Sequence, residues 1–210
     1  MSQGSTWKML QLMNEGGPVM WALLVFSIIA LATAMERAVV LRRALRDSES
    51  FTRRLRSTLV RKRSVADAAE ASRQSDGPVA RVAEVALRRF DRPPNHLEQV
   101  MERQARREQR TLSRGMGILA TIATTAPLLG FLGTVTGMMA SFDVLALEGI
   151  RNPGLVALGI KEALTTTAGG LVVAVPTQIA YNMLAGRVER LTADIESTGN
   201  LLLEVREEMA

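Results

Sequence analysis

The chain of 210 residues contains no cysteine and only one histidine. Without cysteine it can form no disulfide, no thiolate metal site and no cysteine nucleophile. His96 follows a Pro-Pro-Asn run in a polar stretch, where we expect a surface side chain rather than a ligand or a general base. The sequence shows no Ser-His-Asp set, no paired catalytic carboxylates, no metal-ligand cluster and no phosphate-binding loop. We therefore expect no enzyme, no catalytic residue, no bound metal and no cofactor.

Charge is missing from one long stretch and nearly missing from another. Residues 115–142 carry no charged side chain, and residues 155–184 carry only Lys161 and Glu162. A hydrocarbon core about 30 Å thick requires roughly 20 apolar residues for a spanning helix, and both stretches are long enough. Residues 19–35 form a third, shorter candidate; a secretory signal is disfavoured because no basic region precedes it. The pattern predicts an all-α membrane protein with three transmembrane helices.

The basic residues are concentrated between the first and second apolar stretches. Residues 37–114 hold 20 of the 26 Lys and Arg residues and 10 of the 21 Asp and Glu residues, which leaves +10. Arginines flank this segment at both ends, so the positive-inside rule places it, and the C-terminus, in the cytoplasm. No aromatic residues alternate with the basic ones, so we expect no nucleic-acid partner. For the basic run at 61–63 two interpretations remain open: a patch that contacts membrane lipids, or a solvated helix face.

These observations divide the chain into seven segments. They are an external N-terminal segment at 1–17, with an interfacial helix as one reading; transmembrane helix 1 at 18–36; a cytoplasmic helical region at 37–114; transmembrane helix 2 at 115–142; an external hairpin at 143–153; transmembrane helix 3 at 154–184; and a cytoplasmic C-terminal helix at 185–210. We expect the second and third helices to extend into the cytoplasm as a helical bundle, the second as one helix from about His96 to Phe142.

Apolar residues at alternating spacings of three and four predict how the C-terminal helix packs. This spacing is typical of helix packing in water, and we expect the seam to contact the helix before Gly115. The seam consists of Val188, Leu191, Ile195, Thr198, Leu202, Val205 and Met209.

The second and third apolar stretches are unusually rich in threonine and glycine. Clusters of polar side chains at membrane depth typically face a bundle interior or a hydrated path, and small residues let helices approach closely. Thr134 and Thr167 lie eight and twelve residues from the hairpin ends of their helices, so both should be roughly 12–18 Å below one surface. For the glycines we expect a role in helix packing; they are Gly130, Gly133, Gly137 and Gly170.

Two sequence motifs resemble the MotA/TolQ/ExbB proton channel family, with greatest similarity to its ExbB and TolQ branches. Residues 126–142 read APLLGFLGTVTGMMASF, and residues 159–182 read GIKEALTTTAGGLVVAVPTQIAYN. The resemblance implies that Thr134, Glu162 and Thr167 line or support an ion path. It implies a homo-oligomeric ring, usually a pentamer, around a single-helix ExbD- or TolR-like partner that carries a membrane Asp. It also implies a TonB- or TolA-like protein as a further partner, and the bacterial inner membrane as the location, with the N-terminus in the periplasm.

The residues themselves point to a missing proton carrier. Threonine does not titrate near neutral pH. Glu162 lies toward one end of its helix, where a structural role and a direct role in the ion path both remain open. We therefore expect the carrier acid to come from the partner. A passive scaffold remains an alternative, and a secondary transporter is disfavoured because three helices form no inverted repeat. The sequence leaves open whether protons or sodium ions move, and whether outer-membrane transport, Tol-type envelope maintenance or gliding motility is driven.

Overall fold

The computed structural model describes residues 16–61, 64–149 and 153–209, and this part of the chain contains helices and turns but no strand. Six α-helices follow one another, and a π-helical turn at Ser57–Arg61 directly continues the first. They are α1 (Gly17–Arg56), α2 (Val65–Arg73), α3 (Pro78–Leu87), α4 (Pro94–Leu112), α5 (Met116–Glu148) and α6 (Pro153–Glu208). The expected interfacial helix and two residues of the basic run at 61–63 lie outside the described residues.

Three of these helices, α1, α5 and α6, are long and apolar enough to cross a membrane. The prediction of an all-α membrane protein with three spanning helices is therefore confirmed. The first helix is longer than the span expected at 18–36, because it continues without a break to Arg56. The third span and the C-terminal helix form one helix, as expected.

The described residues form two compact units, which we call the membrane unit and the polar unit. The membrane unit comprises residues 16–35, 117–149 and 153–182, and the polar unit comprises residues 36–61, 64–116 and 183–209. In the membrane unit, Leu23, Ala126 and Ala174 form a small buried core. Much of the remaining surface is apolar; Phe131 is 65% and Val172 is 72% exposed. Such a surface requires lipid or another membrane helix to cover it.

The polar unit has a larger apolar core, to which every helix of that unit contributes. Ile195, Leu202 and Val205 of α6 belong to the same buried cluster as Leu97 and Met101 of α4. The predicted seam is thus confirmed, together with its contact to the helix before Gly115. Three further seam positions, Val188, Leu191 and Thr198, are buried. The last position is different, because Met209 is 46% exposed.

An ion pair between the half-exposed Arg81 and the buried Glu108 joins α3 to α4 in the polar unit. Arg81 donates from Nε to Glu108 Oε1 at 2.9 Å and from Nη2 to Oε2 at 2.6 Å. Gln104 Nε2 donates to the same carboxylate at 2.8 Å, and the Glu108 side chain is only 7% exposed. The hydrogen bond and the charge of Glu108 raise the pKa of the Arg81 guanidinium above its usual value. This two-pronged contact fixes the register of α3 on α4.

Two boundaries differ from the sequence-based expectation. The prediction of one continuous helix from His96 to Phe142 is wrong, because α4 ends at Leu112 and α5 begins at Met116. Gly115 has a φ of +79°, a left-handed conformation that ends helices and that glycine adopts without a Cβ clash. The hairpin expected at 143–153 is shorter, because α5 continues through Glu148 and Pro153 already opens α6.

Candidate ion path

Helices α5 and α6 pack so closely that two glycines face the opposite backbone. A Cβ on Gly130 would lie 2.9 Å from the Thr166 carbonyl oxygen, and a Cβ on Gly170 would lie 2.7 Å from the Ala126 carbonyl oxygen. Both distances are shorter than a carbon–oxygen contact allows. The helices therefore approach at these positions only because a hydrogen replaces the side chain.

The other two glycines predicted as packing positions lie along the same contact. Gly133 receives the side chain of Thr166, which is only 1% exposed. A Cβ on Gly137 would lie 2.9 Å from the Gly159 carbonyl oxygen and 3.0 Å from the Ala163 Cβ. The small residues of α5 thus find their partners on α6 of the same chain. This agrees with the helix-packing role that the sequence suggests for them.

Thr167 bridges the two helices with its hydroxyl group. Its Oγ1 donates to the Gly130 carbonyl oxygen on α5 at 3.1 Å, and the residue is half-buried. The neighbouring Thr166 hydroxyl instead donates within α6, to the Ala163 carbonyl oxygen at 2.8 Å. Thr167 is therefore the threonine that connects α6 to the α5 backbone.

Thr134 lies one helical turn from the carbonyl that Thr167 reaches, about 6 Å farther along α5. Its Oγ1 donates to the Phe131 carbonyl oxygen of its own helix at 2.6 Å, and the side chain is half-buried. The structure thus brings Thr134 and Thr167 to neighbouring levels of the same helix pair.

The hydrogen bonds of these two threonines determine what each can offer to a visiting group. A hydroxyl has one donor proton and two acceptor lone pairs. In Thr134 and Thr167 the proton is already directed to a backbone carbonyl. What remains available is acceptor capacity, which suits an O–H donor such as water, hydronium or a protonated carboxylic acid.

Glu162 lies away from the two threonines, beside the start of α1. A Cβ on Gly17 would lie 2.5 Å from Glu162 Oε1, so the carboxylate packs directly against this glycine. Gly17 has a φ of +62°, and its lack of a side chain makes room for the acid. Glu162 also lines a cleft of about 350 Å³ with Lys161 and Ser141, between the hairpin ends of α5 and α6. The acid is therefore half-buried at the mouth of the helix pair.

The sequence did not single out two residues of this region as site residues. Ser141 is 3% exposed, and its hydroxyl proton is shared between the Gly137 carbonyl oxygen of α5 at 3.0 Å and the Val156 carbonyl oxygen of α6 at 3.2 Å, a second link between the helices. Gly159 lies opposite the Ser141 hydroxyl. The spacing of Ser141 four residues after Gly137 is the signal that could have placed it on the small-residue stripe.

Comparison with known proteins gives a consistent assignment. The sequence model described as the MotA/TolQ/ExbB proton channel family matches residues 74–197. That range contains Thr134, Glu162, Thr167 and the glycines of the α5–α6 contact.

Three similar proteins are named for biopolymer transport. An ExbB homolog from Methanothermobacter thermautotrophicus is 31% identical over 180 residues, covering 86% of this chain and 64% of that protein. ExbB of Pseudomonas putida is 40% identical over 110 residues, covering 52% and 33%. ExbB of Neisseria meningitidis serogroup A is 31% identical over 202 residues, covering 88% and 90%. The chain thus spans less than two thirds of the length of the first two relatives.

Proposed function

The chain belongs to the MotA/TolQ/ExbB proton channel family, and from that premise we propose that it is a proton-conducting subunit of a bacterial inner-membrane complex. The complex uses the proton-motive force to energise a process in the cell envelope. We propose transport across the outer membrane as this process, and the ExbB relatives are named for biopolymer transport. Envelope maintenance of the TolQ type and gliding motility are the alternative processes that such a complex could energise.

The observation that carries the proposal is the pair of threonines with unused acceptor capacity at neighbouring levels of α5 and α6. A proton path needs groups that hold an O–H donor at membrane depth, and these hydroxyls can do so. They cannot carry the proton themselves, because threonine does not ionise near neutral pH. The path therefore requires a titratable group brought in by another chain.

We propose that this group is a carboxyl on a single-helix partner of the ExbD or TolR kind. Several copies of the present chain, five by family resemblance, would surround the partner helix as a ring. When the partner acid is protonated, its O–H can donate to Thr134 or Thr167, and after deprotonation water takes its place. The hydroxyls thus favour the protonated acid at this depth, and the proton leaves when the acid turns away.

Glu162 has a different part in this scheme. It lies about five residues, or roughly 7 Å, from Thr167 along α6, at the hairpin mouth. With the arginine-flanked segment in the cytoplasm, this mouth and the N-terminus face the periplasm. A carboxylate at the periplasmic mouth raises the local concentration of protons where they enter.

Proton flux in liposomes tests the proposal directly. The purified chain is reconstituted alone, the partner alone, and the two together, and flux is followed with an internal pH-sensitive dye after a potential is applied. We expect flux only when both are present. Flux from the chain alone would contradict the need for a partner acid, and no flux from the assembled complex would favour a passive scaffold. Replacing the proton gradient by a sodium gradient distinguishes the two ions.

A further inference from the structure

The last two turns of α6 in the membrane unit carry an exposed pair of amide side chains. Gln178 Nε2 donates to Asn182 Oδ1 at 3.0 Å, and both residues are exposed. Each carboxamide has two N–H donors and one carbonyl oxygen. Their single shared hydrogen bond uses one donor and one acceptor. Most of the hydrogen-bonding capacity of the pair therefore faces whatever covers this side of the helix.

This pair lies within the apolar part of α6. Gln178 follows Glu162 by sixteen residues and precedes Arg187, the next charged residue, by nine. Along a continuous helix these separations correspond to about 24 Å and about 13 Å. Amide groups directed at hydrocarbon would leave their donors without partners, which is strongly unfavourable. The side of α6 that carries Gln178 is therefore unsuited to lipid.

The adjoining exposed side of α6 at the same two levels is apolar. Ile179 is 56% exposed and Met183 is 60% exposed, and each is the immediate neighbour of one amide. The opposite side of the helix at these levels is buried within the chain, since Thr177 is 6% and Leu184 is 3% exposed. The last membrane turns thus have one exposed apolar face, suited to lipid, and one exposed amide face, suited to water.

The amide face continues the side of α6 that carries Thr167. Gln178 follows Thr167 by eleven residues, which at about 100° per residue is three full turns plus roughly 20°. The two side chains therefore share one side of the helix and are separated by about 16 Å along it. No charged side chain lies between them, and the exposed residue on this side between their levels is Leu171.

We propose that Gln178, held by Asn182, lines a water-filled continuation of the ion path, from the level of Thr167 toward the end of α6 that leads to Arg187. The amides remain neutral throughout. They donate to and accept from water molecules, and the proton moves along that water between the partner acid and the aqueous phase. This inference rests on the proposed function, because the water-filled path is the interior of the ring.

The absence of cysteine allows a direct test of which face is wet. Single variants Gln178→Cys and Ile179→Cys are made in the full chain, assembled with the acidic partner in membranes, and treated with a membrane-impermeant trimethylammonium methanethiosulfonate. The two positions differ by one residue, so they share a depth and differ only in direction. We expect modification at Gln178→Cys and protection at Ile179→Cys. A second matched pair, Asn182→Cys and Met183→Cys, should give the same contrast, and it provides the test if a variant of the first pair fails to assemble. Equal modification of both members, or protection of both amide positions, would overturn the proposal.

Proton flux supplies the second readout. Gln178→Leu keeps the side-chain size but removes the hydrogen bonds to water, and flux should fall roughly tenfold, which corresponds to about 1.4 kcal/mol. Ile179→Leu is the control and should conduct at the parental rate. Parental flux in Gln178→Leu would refute the inference and leave the proposed function standing. If the unaltered complex conducts no protons, the proposed function fails, whereas the labelling contrast still decides whether the amide face is wet.

Discussion

The two threonines of the candidate path make different contacts, so removing their hydroxyls should separate conduction from folding. Thr167→Val deletes the hydrogen bond from Oγ1 to the Gly130 carbonyl oxygen on the other helix. Hydrogen bonds between membrane helices contribute about 0.6 kcal/mol on average, and at most about 1.7 kcal/mol. Thr134→Val deletes only a bond to its own helix, where the Phe131 carbonyl keeps its place in the backbone ladder. Neither change should prevent assembly.

The effect on conduction should be much larger than the effect on assembly. If each hydroxyl accepts one hydrogen bond from a protonated carboxyl or hydronium, its loss costs about 1.5–3 kcal/mol, a roughly tenfold to hundredfold fall in flux. Thr→Ser keeps the hydroxyl and should retain part of the flux at each position. Thr121→Val is the matched control, because Thr121 is an exposed threonine of the same helix, away from the α5–α6 contact.

The assay is proton flux into liposomes that contain the complex, with native mass spectrometry on the same preparations to verify the oligomer. Parental flux from the double variant Thr134→Val, Thr167→Val in an intact complex would refute the reasoning. The hydroxyls would then be packing groups, and Glu162 would be the next residue to examine.

Three further predictions concern the fold. Gly133→Leu should lower the free energy of unfolding by about 1–3 kcal/mol, because the new leucine side chain would collide with the buried Thr166. The control Gly117→Leu places its side chain in open space and should unfold in detergent at the parental temperature. Arg81→Ala should lower the free energy of unfolding by about 2–4 kcal/mol, because it leaves the buried Glu108 carboxylate with one donor. The control Arg73→Ala breaks only an exposed pair at 3.9 Å and should lower the free energy of unfolding by less than about 1 kcal/mol in the same thermal unfolding assay. A reporter fused at Ser75 should give a cytoplasmic signal; an external signal would invalidate the topology.

Helix type and the packing seam were predictable from the sequence because they depend on periodicity. The spacing of three and four along residues 188–209 requires one apolar side, and six of its seven members are buried. The break at Gly115 was not predictable in the same way. One glycine among apolar residues is compatible with a continuous helix, and only its φ of +79° in the fold ends the helix there.

For the candidate path, too, the sequence predicted the depth of the residues but not their contacts. Sequence spacing placed Thr134 and Thr167 at similar depths, but it could not show which acceptor each hydroxyl chooses. A threonine in a helix can bond to its own backbone or to a neighbour, and the choice depends on which staggered χ1 rotamer the surroundings select. The contact of Gly130 with α6 brings its carbonyl within 3.1 Å of Thr167, and that close approach determines the bond. The chemistry of the site therefore depends on glycines that carry no functional group.

The position of Glu162 strengthens the case for a carrier from another chain. Its carboxylate packs against Gly17, so a rotation that would carry it toward Thr167 must first leave this contact. A proton carrier must instead move between two aqueous connections and lose its charge at each cycle. Glu162 thus lies at the hairpin mouth. The sequence of residues 117–182 contains two other acids, Asp143 and Glu148, and both lie near the hairpin. This placement supports the proposal that the acid at the level of the threonines comes from a second protein.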